Sequence, residues 1–77
     1  MNSLKGYADQ VQLIIDEMKS GKLSMAQAVI ELQAVAVLAG QDASEMEGSE
    51  YAGRLEQFAD MIYAVIEKMD PKRRVLQ

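Results

Sequence analysis

The sequence contains no cysteine, no histidine and no tryptophan, and each absence removes a class of function or of stabilisation. Without cysteine there is no disulfide, and without cysteine or histidine the common zinc sites lack ligands. The same two absences remove the cysteine nucleophile and histidine, the usual general base of hydrolytic enzymes. We therefore expect a protein without catalytic activity, cofactor or metal.

Aromatic residues make up only 5% of the 77 residues, although 49% are apolar, so alanine, valine, leucine, isoleucine and methionine supply the apolar mass. This composition favours helices over sheets. The net charge of −4 predicts no DNA reading. No apolar run approaches the ~20 residues of a membrane span, and no signal peptide is evident. These patterns predict a cytoplasmic protein without a membrane partner, in the host cytoplasm if a phage encodes it.

Apolar spacing predicts an all-α fold with three helices in one domain, residues 1–77. The helices are expected at about 3–20, at 24–39 and from 44 or 49 to 70, followed by a basic tail at 71–77. Gly21 suits the end of the first helix, and Ser24 with Gln27 forms a capping box at the start of the second. The first two helices should therefore form a hairpin, with Gly40 ending the second.

The second helix is apolar on almost every side, with Glu31 and Gln33 as its central polar residues. Two neighbouring helices would justify this composition by covering it from both sides. Glu31 and Gln33 are then expected to mark the narrow strip that reaches solvent, or a polar contact across an oligomer interface.

The segment before the third helix is acidic, and its four carboxylates equal the net charge of the chain: Asp42, Glu45, Glu47 and Glu50. Asp42 with Glu45, or Ser44 with Glu47, would cap that helix. Calcium binding is disfavoured, because an EF-hand loop starting at Asp42 would have Glu47 where the sharp turn needs glycine. Together with Lys72, Arg73 and Arg74 of the basic tail, these acids are the candidates for charged contacts with a partner.

The third helix has two apolar stripes, which together are wider than a single neighbouring helix would cover. The first stripe consists of Tyr51, Leu55, Phe58, Ile62, Val65 and Met69, and the second of Ala52, Ala59, Tyr63 and Ile66. Soluble monomers seldom leave such a patch exposed, which predicts a homo-oligomer, in the first instance a dimer. The residues expected at the self-association or partner surface come from this helix and from the acidic segment: Met46, Tyr51, Met61, Tyr63 and Ile66. On this view Ile66→Asp would dissociate the assembly without unfolding it.

These patterns favour a non-catalytic protein-interaction module, a small acidic helical adaptor or inhibitor that binds and regulates a larger protein. Compact chains of this composition are typical of phage or mobile-element inhibitors of host proteins. Two alternatives stay open: an oligomeric protein that sequesters a small molecule or nucleotide, and a non-catalytic small subunit of an enzyme complex.

Overall fold

A computed structural model describes residues 4–69, and these form three helices without a strand. Helix α1 spans Leu4–Lys19, α2 spans Met25–Glu45 and α3 spans Glu50–Met69. The predicted all-α three-helix architecture is confirmed. The basic tail, with Lys72, Arg73 and Arg74, lies outside the described residues.

The turn between α1 and α2 follows the local chemistry of its sequence. Gly21 adopts φ +85°, and the Gly21 and Lys22 amides donate to the Met18 and Glu17 carbonyls at 3.1 and 2.9 Å. This pair of bonds is the Schellman arrangement, which satisfies carbonyls that the end of a helix leaves unpaired. Ser24 then caps α2, because its hydroxyl accepts from the Gln27 amide at 3.1 Å. The helical hairpin predicted from this segment is present.

The end of α2 differs from the prediction, because the helix continues through Gly40 to Glu45. Positive φ among the glycines is restricted to Gly21 and Gly48, so Gly40 does not end the helix. Packing explains the extra turns, since Ala39 and Ala43 are almost fully buried and extend the buried face beyond Gly40. The apolar contact of Ala43 outweighs the roughly 1 kcal/mol that glycine costs inside a helix.

The start of α3 is set by Ser49, whose hydroxyl accepts from the Ala52 amide at 3.1 Å. Gly48, at φ +89°, turns the chain just before this cap. The capping boxes predicted from Asp42 or Ser44 are therefore wrong, because both residues lie in the last turns of α2. Gly48 allows the sharp reversal that separates the two helices.

Helix α2 lies at the centre of the fold, with its most extensive packing against α3 and a smaller contact with α1. The core consists of side chains buried from all three helices: Tyr7, Val11, Ile14, Ala28, Val29, Leu32, Val35, Ala36, Ala39, Ala43, Ala52, Leu55, Ala59, Ile62 and Ile66. Alanines of α2 and α3 permit close approach of the two backbones. The buried face of α3 is therefore centred on Ala52, Leu55 and Ala59, between the two apolar stripes seen in the sequence.

Candidate interaction surface

The most apolar exposed surface lies on α2, opposite its packing face. Ile30, Val37 and Leu38 are 53, 48 and 44% exposed, and Ala34 lies among them. Leu13 of the neighbouring α1 is 58% exposed and lines the same groove as Ala34 and Leu38. We call these five residues the outer face. It stands out because large aliphatic side chains remain accessible across two adjacent helices, where isolated exposed leucines would need no explanation.

Helical geometry shows that the outer face forms one strip along α2. Positions 30, 34, 37, 38 and 41 fall within about 100° around the helix axis at 100° per residue. Residues on the opposite side include Ala28, Leu32 and Ala39, all 0% exposed. Helix α2 therefore has a buried apolar face and an accessible apolar face.

Glu31 and Gln33 were expected to mark the solvent-exposed strip of α2 or a polar contact across an oligomer interface, and the structure corrects the first of these expectations. Both side chains are half-buried, and they flank the exposed strip on either side while its centre is apolar. Helices α1 and α3 cover only one side of α2, since their packing faces converge on the same arc. Between Ile30 and Leu38 the most exposed strip of α2 is therefore made of aliphatic side chains, and the exposed Gln41 continues it.

A shallow apolar groove of about 280 Å³ runs between α1 and α2 at the edge of the outer face. Its lining includes the outer-face residues Leu13, Ala34 and Leu38, with Ile14 and Val35 below them. Gln10 on α1 and Glu31 on α2 supply its two polar side chains. The groove has room for an aliphatic side chain from another molecule, with a hydrogen-bonding group on each helix.

A second, wider groove of about 550 Å³ lies between α2 and α3. It exists because small residues meet there: Ala36, Gly40 and Ala59 leave space that Tyr63 borders. Gln41, Ser44 and Glu45 make its α2 side polar. Among residues 4–69, no basic side chain belongs to this lining.

The five residues predicted to form the association surface do not lie together on an open face. Ile66 is 0% exposed and belongs to the core, so its assignment to that surface is wrong. Met46, Tyr51 and Tyr63 are half-buried and pack against the core, whereas Met61 is 47% exposed. The Ile66→Asp substitution is now expected to unfold the chain, because it would bury an unpaired carboxylate.

Tyr51 and Asp42 have structural partners within the chain. The Tyr7 hydroxyl donates to Asp42 Oδ2, which connects α1 to the last turns of α2. The Tyr51 hydroxyl accepts from the Leu4 amide, which connects α3 to the start of α1. Both contacts hold the N-terminal end of α1 against the turn between α2 and α3, and they explain two polar groups that the sequence alone assigned to a partner.

The remaining acidic candidates, Glu45, Glu47 and Glu50, are exposed at the same end of the molecule. Glu50 lies 3.5 Å from Arg54 across one helical turn, an exposed ion pair of small energetic value. Within residues 4–69, no three metal-ligating side chains are grouped so that they could hold an ion. None of the helices formed by these residues is long and apolar enough to cross a membrane.

Comparison with models of protein families, with curated proteins and with solved structures gives no match for this chain.

Sequence reasoning missed Leu13, Ile30, Ala34, Val37 and Leu38 as a surface. One signal for them is present in the sequence: in α2, Ile30, Ala34, Val37 and Leu38 repeat the spacing of buried Ala28, Leu32, Val35 and Ala36 two positions further along the chain. Two apolar stripes in α2 predict either burial from both sides or an exposed second face, and pattern alone does not choose between them.

Proposed function

We propose that this chain is a non-catalytic protein-interaction module, a small helical adaptor or inhibitor that regulates a larger protein. The observation that carries the proposal is the outer face, where accessible aliphatic side chains on α1 and α2 surround a shallow groove. A surface of this type matches recognition of an apolar or amphipathic helix, whose side chains enter the groove while its polar side remains in water.

The chemistry available elsewhere supports binding over catalysis. The sequence has no histidine and no cysteine for acid–base or nucleophilic work. Asp42 is engaged by Tyr7, and the exposed carboxylates of Glu45, Glu47 and Glu50 are grouped at the turn between α2 and α3, with Glu45 at the edge of the open wider groove. Surfaces that bind proteins need an apolar centre and a polar rim, and the outer face with Gln10, Glu31 and Gln33 around it has both.

The proposal is tested by photo-crosslinking from the outer face in a lysate of the cells that make the protein. A photoreactive residue replaces Val37 in one version and Met61 in another, because these side chains are about equally exposed, at 48 and 47%, on different surfaces. We expect position 37 to form a specific crosslink to a larger protein and position 61 to form none. Ile30→Asp should remove the crosslink from position 37, since a charge at the centre of an apolar interface is costly.

Equal crosslinking from both positions, or crosslinking that Ile30→Asp does not change, would contradict docking through the outer face. Native mass spectrometry of the purified protein provides the counter-test for ligand sequestration. A nucleotide or another small molecule that remains bound after purification would overturn the proposal in favour of a sequestering protein.

A further inference from the structure

The side of the α1–α2 pair that contains the outer face is large enough to pack against a second copy of this chain. Helix α2 has 21 residues and α1 has 16, which correspond to lengths of about 31 and 24 Å at 1.5 Å per residue. Two helices packed about 9 Å apart present a surface roughly 18 Å wide. Each copy would then bury a flat area of about 500 Å², without the added surface of protruding side chains. Together the two copies bury the roughly 1,000 Å² expected of a specific interface.

Two large residues of the outer face, Ile30 and Leu38, lie symmetrically about Ala34, whereas the position symmetric with Val37 is Glu31. Ile30 precedes Ala34 by four residues and Leu38 follows it by four, and both are about half exposed. In an antiparallel pair of α2 helices with a two-fold axis at Ala34, each Ile30 faces Leu38 of the other copy. The small Ala34 side chain lies at the point of closest approach, where it allows the two backbones to pack tightly. One surface thus supplies both halves of the contact, as a two-fold interface requires.

The polar groups of the groove follow the same symmetry. Because α1 and α2 run antiparallel, Gln10 lies toward the Leu38 end of the groove and Glu31 lies toward the opposite end. A two-fold axis at Ala34 exchanges these ends between copies, so the Gln10 amide of one copy comes beside the Glu31 carboxylate of the other. A donor that reaches this carboxylate offsets the cost of removing it from water.

Charges at the two ends of α2 favour the antiparallel direction. Lys22 precedes the helix, whereas Glu45 and Glu47 mark its other end, and all three are exposed. Antiparallel packing brings Lys22 of each copy toward Glu45 and Glu47 of the other, and it also opposes the two helix dipoles. Parallel packing would place the acidic ends side by side.

We propose that a second copy of this chain covers the outer face, forming a two-fold, antiparallel dimer with α1 and α2 of each copy in a four-helix core. This inference rests on the proposed function, because both use the outer face, which the second copy covers until a larger partner takes its place. It differs in naming the occupant and in fixing the register at Ala34.

The register can be tested with one cysteine, because the native chain has none. In Ala34→Cys the two cysteines would face each other across the axis. Their Cβ atoms would lie within the separation of about 3.5–4.5 Å that a disulfide needs. Ala64→Cys is the matched control, since Ala64 is also an exposed alanine but lies on α3. We expect Ala34→Cys to form a disulfide-linked dimer under mild oxidation at least about ten times faster than Ala64→Cys, as expected when a contact replaces random collision.

Equal oxidation rates for the two variants, or no crosslink through position 34, would overturn the dimer. The two proposals fail separately. If position 34 does not crosslink but position 37 still photo-crosslinks to a larger protein, the dimer is wrong and the proposed function stands. If position 34 crosslinks rapidly but position 37 reaches only a second copy of the chain, the dimer stands and regulation of a larger protein is wrong.

Discussion

The inner and outer faces of α2 are both apolar, yet one is core and the other is accessible. Ala28, Leu32 and Ala36 on the inner face are at most 1% exposed, whereas Ile30 and Val37 on the outer face are about half exposed. Side-chain size distinguishes them. The inner face is rich in alanine, which allows α3 to approach closely, while the outer face carries mainly larger aliphatic side chains around the single Ala34. The apolar composition of α2 predicts that the helix is buried. The small residues determine which of its two faces packs inside the chain.

The largest expected difference between the two faces comes from removing a leucine from each. Leu32 is 0% exposed, so Leu32→Ala should lower the free energy of unfolding by about 3 kcal/mol through lost contacts and a cavity. Leu38 is 44% exposed, so Leu38→Ala should change it by less than about 0.5 kcal/mol. Urea unfolding of both variants in an Ile30→Asp background, where association is removed, measures the difference. Similar losses at the two positions would show that the outer face is part of the core.

The second comparison adds volume to each face. Ala36 is 1% exposed between α2 and α3, so Ala36→Leu should destabilise the chain by about 2 kcal/mol through overpacking. Ala34 is exposed, so Ala34→Leu in the same Ile30→Asp background should leave the free energy of unfolding within about 0.5 kcal/mol of the parent. Thermal unfolding followed by circular dichroism compares the pair. Tolerance of leucine at position 36 would contradict the close packing of α2 against α3.

The smallest effect concerns Gly40, which lies in α2 beside Val37 at the wider groove. A Cβ atom at Gly40 would meet no atom within 4 Å, so Gly40→Ala should stabilise the chain by about 0.5–1 kcal/mol through helix propensity. Gly21→Ala is the control and should destabilise it, because Gly21 adopts φ +85°. Denaturant unfolding measures both shifts. A loss of stability in Gly40→Ala would mean that the space above Gly40 is filled in the folded molecule.

The sequence predicted the elements whose signals are local. Ser24 and Gly21 identified the hairpin, since a capping hydroxyl and a left-handed glycine act within a few residues. Gly40 gave a wrong helix end because its signal is also local. As a local signal it predicts a helix end, but buried Ala39 and Ala43 extend the helix through tertiary packing that no local pattern records.

The candidate site was predicted less well than the fold, because rotation about a helix axis is decided by its neighbours. In α3 the two stripes lie about a quarter turn apart at 100° per residue. The buried arc falls between them, which places Ile66 in the core and not on the expected surface. In α2 the nearly uniform apolarity hid the outer face, because both faces satisfy the same spacing. Patterns of residue type predict that a surplus of apolar surface exists, and only packing shows where it lies.

The central claim, that a second copy covers the outer face of α2, is tested most directly by molar mass in solution. Light scattering at about 100 µM should give wild-type protein twice the chain mass of 8.5 kDa, because this concentration is far above a dimer Kd of about 1 µM. Ile30→Asp should give the mass of a single chain with unchanged helical circular dichroism, and Met61→Asp should keep the wild-type mass. A wild-type protein of 8.5 kDa under these conditions would contradict the account.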